Sequence, residues 1–334
     1  MTWRRLGPEE RPVWDALLDK AGDATLFQSP AWGELKRASG WTPELWVTQG
    51  GPALAGMQVL IKRLPFGRSL AWAPGGPMTE LPGCKPELAG ELMRSWLEEF
   101  RARGGVYARF RLHRPADPAW ERGLAAAAAR PLSRINSGVS LRFDLAKSME
   151  DLRAAFSSKH RYYVRQAEGA GLDWSSGHDG ALARELVALY EGMAAAKAVE
   201  AGLFEPEAVG RMVERFGERA VVLIGRRAGE PVTGCLAVRT GKNAFYLAAA
   251  TPPAGRELSA AYAMVPRLLE LLKQAGVRSL DFGGVDPGNE RAKGVDHFKK
   301  GFGGAAVEYL GEWDWASYGW LRWAAGFIIA RRTP

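Results

Sequence analysis

Apolar and polar positions recur along this chain with two periods, one helical and one of strands, so a mixed α/β protein is expected. Residues 9–20 read as a first helix and 30–38 as a second, short and amphipathic. Residues 43–49 and 53–64 read as paired strands with Gly50-Gly51 as their turn. Over 86–103, Leu88, Leu92, Trp96, Leu97 and Phe100 share one helix face, and 105–112 follows as a strand. Residues 119–129 are rich in alanine and read as helix on propensity. In 137–145, Val139, Leu141, Phe143 and Leu145 alternate with polar residues, as in a half-buried strand.

A second run begins at Ser148, read as a helix cap with Asp151 three residues on. Residues 159–169 form a basic helix closed by glycine, and 181–196 and 206–216 two further helices. Residues 219–227, 231–239 and 243–250 read as strands. An amphipathic helix over 258–275 follows, with Ala261, Val265, Leu268, Leu272 and Ala275 on one face, then a strand over 277–282. Each half thus has a strand hairpin, a long helix, a Gly-Val turn and a strand that ends in phenylalanine: Gly105-Val106 to Phe110 echoes Gly276-Val277 to Phe282. The tail, 314–331, carries Trp315, Tyr318, Trp320, Leu321, Trp323, Phe327, Ile328 and Ile329 and reads as an amphipathic helix.

Length and charge narrow this picture. A chain of 334 residues exceeds one typical core, so two domains are expected. The net charge of +8 points to acidic partners: nucleic acid, nucleotide phosphates or anionic lipid. Cys84 and Cys235 form no CxxC pair, which suggests a reducing compartment and no metal site. Residues 1–12 carry no apolar run of a signal peptide, and no stretch approaches the ~20 apolar residues of a membrane span. GxSxG, HExxH, Walker and dinucleotide-type glycine motifs are missing, and His113, His160, His178 and His297 have no ligand-like spacing.

The chemistry concentrates in 279–304, SLDFGGVDPGNERAKGVDHFKKGFGG. A buried strand is expected to end at Gly283-Gly284, where the backbone can approach another group closely. Asp286-Pro287-Gly288-Asn289 reads as a turn. Phe298, Lys299 and Lys300 then precede Gly301, Gly303 and Gly304. Two lysines and an aromatic between glycines suit the neutralisation of a charge that develops during reaction, or the grip of a polyanion. In the basic helix, Lys159, Arg161 and Arg165 alternate with Tyr162 and Tyr163, a mixture that grips an RNA backbone and stacks on bases, or else forms a solvated face.

DFGGV, a spacer, FKKGFGG and the aromatic-rich strand 307–313 resemble the closing signature of the FemABX family. Phe27-Gln28-Ser29-Pro30-Ala31-Trp32-Gly33-Glu34-Leu35-Lys36, Pro74-Gly75-Gly76-Pro77 and the basic helix 159–168 resemble three further family patches, in family order. The resemblance implies two tandem GNAT-like α/β acyltransferase domains, 1–146 with the returning segment 314–334, and 147–313, in a compact form without a coiled-coil arm. It implies a cytoplasmic, monomeric aminoacyltransferase of peptidoglycan and cell-wall biogenesis. Such an enzyme moves glycine, alanine or serine from aminoacyl-tRNA to the stem-peptide amine of UDP-MurNAc-pentapeptide or lipid II, without metal or cofactor. On this reading Lys299 and Phe298 are catalytic. Lys36, Asp281, Gly283, Gly284 and Arg256 contact substrate, and Lys159, Arg161, Arg165 and Lys300 contact tRNA.

Two departures stand beside the resemblance. The position of the usual CoA pyrophosphate loop, 251–259, holds Pro252 and Pro253, which lack backbone donors, so an acyl donor other than CoA is expected. The stretch 197–209, KAVEAGLFEPEAV, lacks the arginine and tyrosine of the family's precursor site. The tail is expected to pack on the first domain; a membrane-surface helix, favoured by its tryptophans with Arg331 and Arg332, is the alternative. The competing functions are a CoA-dependent N-acyltransferase of the same fold and a noncatalytic binder of RNA or precursor.

Overall fold

The computed structural model describes residues 1–50, 54–135, 137–197, 206–286, 288 and 293–332. The chain divides into one unit of Met1–Val139 with Val307–Pro334 and a second of Ser140–Ala306.

In chain order, the first unit holds β1 (Thr2–Arg5), α1 (Arg11–Lys20), α2 (Pro30–Arg37), β2 (Thr42–Gln49), β3 (Gly56–Arg63), β4 (Ser69–Gly75), α3 (Ala89–Ala102), β5 (Gly105–Leu112) and α4 (Pro118–Ala125). Strand β6 (Val139–Asp144) leads into α5 (Met149–Ala154), α6 (Ser158–Glu168), β7 (Asp173–Gly177), α7 (Gly180–Lys197), α8 (Pro206–Phe216), β8 (Ala220–Arg227), β9 (Glu230–Thr240) and β10 (Asn243–Ala250). Then come α9 (Pro253–Glu257), α10 (Ala260–Gln274), β11 (Ser279–Gly284), α11 (Lys293–Lys300), β12 (Ala305–Glu308), β13 (Glu312–Ala316) and α12 (Gly319–Arg332).

The sheets run β1-β2-β3-β4-β5-β13 and β12-β6-β11-β10-β9-β8-β7. In each, an antiparallel meander leads into one parallel pair, β4 with β5 and β10 with β11, and a long helix crosses between the paired strands. That crossover helix buries its apolar stripe on the sheet. In α3 the stripe is Leu92, Met93, Trp96, Leu97 and Phe100, with Trp96 stacked on Phe100 at 5.1 Å. In α10 it includes Val265, Leu268, Leu269 and Leu272.

The Phe27–Lys36 patch is largely structural. Gln28, fully buried, accepts from Gln58 N at 2.7 Å and donates to Pro74 O at 2.9 Å, so its amide bridges β3 and β4. Ser29 caps α2 by accepting from Trp32 N at 3.3 Å.

The structure corrects several expected bounds. The alanine-rich helix stops at Ala125, because Ala129 pairs instead with Asp314 through reciprocal backbone bonds of 2.9 Å. The helix expected over 258–275 is α10, Ala260–Gln274, and the separate short helix α9 precedes it, the two parted at Ser259, whose φ is +54°. The aromatic strand over 307–313 is split between β12 and β13 around Gly311, at φ +72°. The tail helix starts at Gly319, since Asp314 and Trp315 belong to β13. Strands β1, β4 and β7 were not expected. The Gly50-Gly51 and Asp286–Asn289 turns and the 197–209 stretch lie partly outside the described residues.

Candidate functional site

In the first unit the parallel ladder between β4 and β5 runs from Ser69↔Gly105 to Gly75↔Leu112. In the second unit the β10–β11 ladder stops after Phe245↔Asp281. Just there β10 carries a register shift against β9, between Tyr246 and Ala248, and β11 one against β6, between Asp281 and Gly284. Phe282 and Gly283 therefore leave the ladder on both sides. The Phe282 ring is buried and lies 4.6 Å from the Tyr246 ring.

Lys299, on α11, reaches this point of separation. Its Nζ donates to Gly284 O at 3.0 Å. A Cβ on Gly283, whose φ is +90°, would lie 2.9 Å from that Nζ and 3.7 Å from Tyr246 O. That φ favours glycine, and the missing Cβ leaves the ammonium room. Burial lowers the Lys299 pKa below the usual lysine value, while the charges of Asp281 and Asp296 pull the other way. Both carboxylates are also structural. Asp281 Oδ1 accepts from Gly283 N at 2.8 Å and from the Ser140 hydroxyl, and the buried Asp296 accepts from Asp286 N at 2.9 Å. Lys300, one residue on, is exposed, with its ammonium 4.0 Å from Asp296.

Helix α11 is held by a residue that the sequence left unassigned. His160, only 1% exposed, sits on the apolar side of α6 with Val164 and Ala167. Its Nε2 lies 3.0 Å from Phe298 O and its Nδ1 2.9 Å from Ser157 Oγ. A carbonyl only accepts, so Nε2 carries the proton and Nδ1 accepts from the serine. Burial lowers the His160 pKa, against the pull of the Phe298 carbonyl, and the ring is held neutral. Of the glycines after Lys300, Gly301 serves this contact and Gly303 a neighbouring one. A Cβ on Gly301 would lie 1.9 Å from His160 Cε1, and one on Gly303, at φ +74°, would lie 2.3 Å from Ala155 O. Phe298, half-buried, packs edge-on to Phe302 at 5.0 Å and Tyr262 at 5.3 Å, and Tyr163 lies 4.8 Å from Tyr262. The periodicity of His160, Val164 and Ala167 was the available signal for this histidine.

The remaining predicted positions are spread. On α6, Lys159 and Arg165 are exposed, with the Lys159 ammonium 6.0 Å from the Tyr163 ring. Arg161 is exposed too, yet its guanidinium donates to Ala154 O at 3.1 Å and to Phe156 O, closing the end of α5. Arg256 lies on α9 and donates to Thr251 O at 3.0 Å. Lys36 belongs to the first unit. Its ammonium lies 4.5 Å from the Trp32 ring and 5.8 Å from Trp72, and burial lowers its pKa. The structure thus gathers Asp281, Gly283, Gly284, Phe298 and Lys299 into one site, with Lys300 at its edge. Among the described residues no three His, Cys, Asp or Glu side chains form a metal-binding group, and no helix is long and apolar enough to cross a membrane.

Residues 221–325 match the model of the FemAB family. No curated protein matches the chain in sequence. Among solved structures, FemX is similar with a TM-score of 0.84 at 15% identity, over 98% of this chain and 100% of that one. The L-PGS of Bacillus licheniformis gives 0.59 at 11%, over 99% and 98%. A tandem GNAT protein from the clavulanic acid biosynthesis pathway gives 0.53 at 14%, over 95% and 98%. At these identities the structural likeness speaks for the fold, two GNAT-like domains in tandem. The FemAB match thus spans the β8 to α12 region, and the likeness to the FemX fold extends over nearly the whole chain.

Proposed function

We propose that this acyltransferase is an aminoacyltransferase that extends the stem peptide of a peptidoglycan precursor. The amine of the stem peptide's diamino acid attacks the ester carbonyl of an aminoacyl-tRNA. The carbonyl oxygen becomes an oxyanion; the C–O bond to the terminal ribose then breaks, the amide forms, and the tRNA leaves with a free hydroxyl. The amine gives up a proton and the ribose oxygen takes one, so no redox partner or nucleotide is needed. The observation that carries this reading is the half-buried Lys299 ammonium, fixed where β10 and β11 part. A cation held there before reaction stabilises the oxyanion without reorganising solvent. Phe298, packed against Tyr262 and Phe302 beside Lys299 in sequence, is the candidate to limit water and position the donor. The exposed Lys159, Arg165 and Lys300 are the candidates for tRNA phosphate, and Lys36 in its tryptophan setting for the precursor's diphosphate. Among the described residues no carboxylate or histidine presents itself as general base, and in this reading the substrates themselves take that role.

The local build of 251–259 favours a donor other than CoA. Pro252 caps α9 and Pro253 opens it, and a Cβ on Gly255 would lie 1.8 Å from Val232 O, so this turn packs flush on β9. The reading places the enzyme in the cytoplasm, where charged tRNA is found. It is tested by incubation of the protein with a charged-tRNA pool and purified UDP-linked and lipid-linked precursors. A product heavier by one glycine, alanine or serine residue is expected. Turnover of acyl-CoA without tRNA, or tight binding with no transfer, would refute it.

A further inference from the structure

Helix α12 is anchored on one side and bare on the other. Its inner side is tied to the first unit: Arg322 donates to Asp314 Oδ1 and to Arg130 O, both at 2.8 Å, and Gly326 packs so close to Leu132 that a Cβ would lie 2.9 Å from that side chain. Its outer side exposes Trp320 by 66%, Trp323 by 73% and Phe327 by 58%. These three stand at i, i+3 and i+7 and so share a face. Ile328 and Leu132 are also exposed, by 53% and 54%. Single exposed hydrophobics need no explanation, but two tryptophans and a phenylalanine on one helix face mark a surface that meets something.

Charge decides what it meets. Residues 319–332 contain no acidic side chain. The Arg331 guanidinium lies 4.0 Å from the Phe327 ring centroid, at the border of the aromatic face, and the exposed Arg134 is two residues from Leu132 in sequence. Indole and phenyl rings with arginines at their rim match a layer that is apolar inside and negatively charged at its surface. A second copy of the chain is a poorer match, because a two-fold contact through α12 would bring the same basic rim against itself. We infer that the outer face of α12 docks the protein on an anionic lipid bilayer, with Trp320, Trp323 and Phe327 at headgroup depth and Arg331 against the lipid phosphates. The inference stands apart from the transfer reaction.

The test is co-sedimentation of the full chain with phosphatidylcholine vesicles, with and without phosphatidylglycerol, in the absence of tRNA. Binding to the anionic vesicles is expected. The triple variant Trp320→Ser, Trp323→Ser, Phe327→Ser should lower the partition coefficient about a hundredfold, since each ring contributes burial in the interface. Arg331→Gln should weaken binding about fivefold, and only where phosphatidylglycerol is present. These side chains face solvent, so circular dichroism and the melting midpoint of the variants should match the parent. A folded parent that ignores anionic vesicles, or a triple variant that binds them equally well, would overturn the inference. So would a concentration-dependent dimer that the triple variant abolishes. Because vesicle binding is read without donor or acceptor, its failure leaves the transferase proposal untouched.

Discussion

Replacement of Lys299 by methionine is the sharpest test of the proposed chemistry. The ammonium donates to Gly284 O at 3.0 Å and fills the space that the missing Cβ of Gly283 leaves open, close to Tyr246 O. Methionine keeps an unbranched apolar chain in that space and removes the charge. Loss of one pre-positioned oxyanion donor costs about a hundred- to a thousandfold in kcat, or roughly 2.7–4 kcal/mol. Folding should change by less than about 1 kcal/mol, because one hydrogen bond is lost while the burial of a charge is relieved. The assay is steady-state transfer of a radiolabelled amino acid to purified precursor, with circular dichroism as the folding control and Lys300→Met as the comparison. The neighbouring variant should act mainly on the KM for aminoacyl-tRNA.

The pH dependence gives a second readout of the same group. Burial lowers the Lys299 pKa, so the ammonium needed in the transition state is lost as pH rises through a value below the ordinary ~10.4 of lysine. The alkaline limb of kcat should report that loss and vanish in Lys299→Met. In the window between the lowered pKa and ~10.4, the unfolded chain binds a proton that the folded one does not. Wild-type stability should therefore rise with pH across that window, relative to the variant. A Lys299→Met enzyme with near wild-type kcat and an unchanged alkaline limb would refute the assignment.

Three further outcomes follow from the site. Gly301→Ala should destabilise the protein by about 2 kcal/mol in thermal denaturation, because its Cβ would lie 1.9 Å from His160 Cε1. The paired change Lys159→Gln, Arg165→Gln should raise the KM for aminoacyl-tRNA, with a steep salt dependence in the parent; Arg161→Gln should instead lower the melting midpoint, since that guanidinium is spent on the carbonyls that end α5. Calorimetry with acetyl-CoA should show no binding at physiological concentration, and micromolar affinity would contradict the reading of the proline-bearing turn.

The sequence revealed most where local periodicity decides structure. The crossover helices and the strands that they join are long, regular and strongly apolar, and a repeated α/β order was legible from them; the resemblance to FemABX added the tandem GNAT-like fold. Short elements were not. β1 reads TWRR and β7 reads DWSSG, and each is a strand only because a neighbouring strand supplies its hydrogen bonds. The bend at Ser259 was equally hidden, since a serine at φ +54° follows no propensity rule. In the site, charge between glycines pointed to Lys299, but the glycines suggested approach to a substrate. Gly301 and Gly303 instead admit His160 and the Ala155 carbonyl, contacts made across more than a hundred residues of sequence. No pattern within 279–304 could have revealed them.

The duplication itself argues for the placement of the chemistry. Both units carry an antiparallel meander, a crossover helix and a parallel pair, so similar backbones have met different constraints. In the first unit the ladder between β4 and β5 continues to Gly75↔Leu112, and the Gln28 amide ties the end of β4 to β3. Paired strands stand about 4.8 Å apart, too close to admit a reacting carbonyl between them. In the second unit the ladder ends at Phe245↔Asp281, both flanking strands shift register there, and Gly283 leaves a gap that a lysine from α11 fills. Separated strands and a cation at the same point are what the proposed transfer to an amine, without a covalent intermediate, would use. The His160 contact completes the reasoning: by fixing Phe298 O it sets where α11 lies, and so where that cation stands.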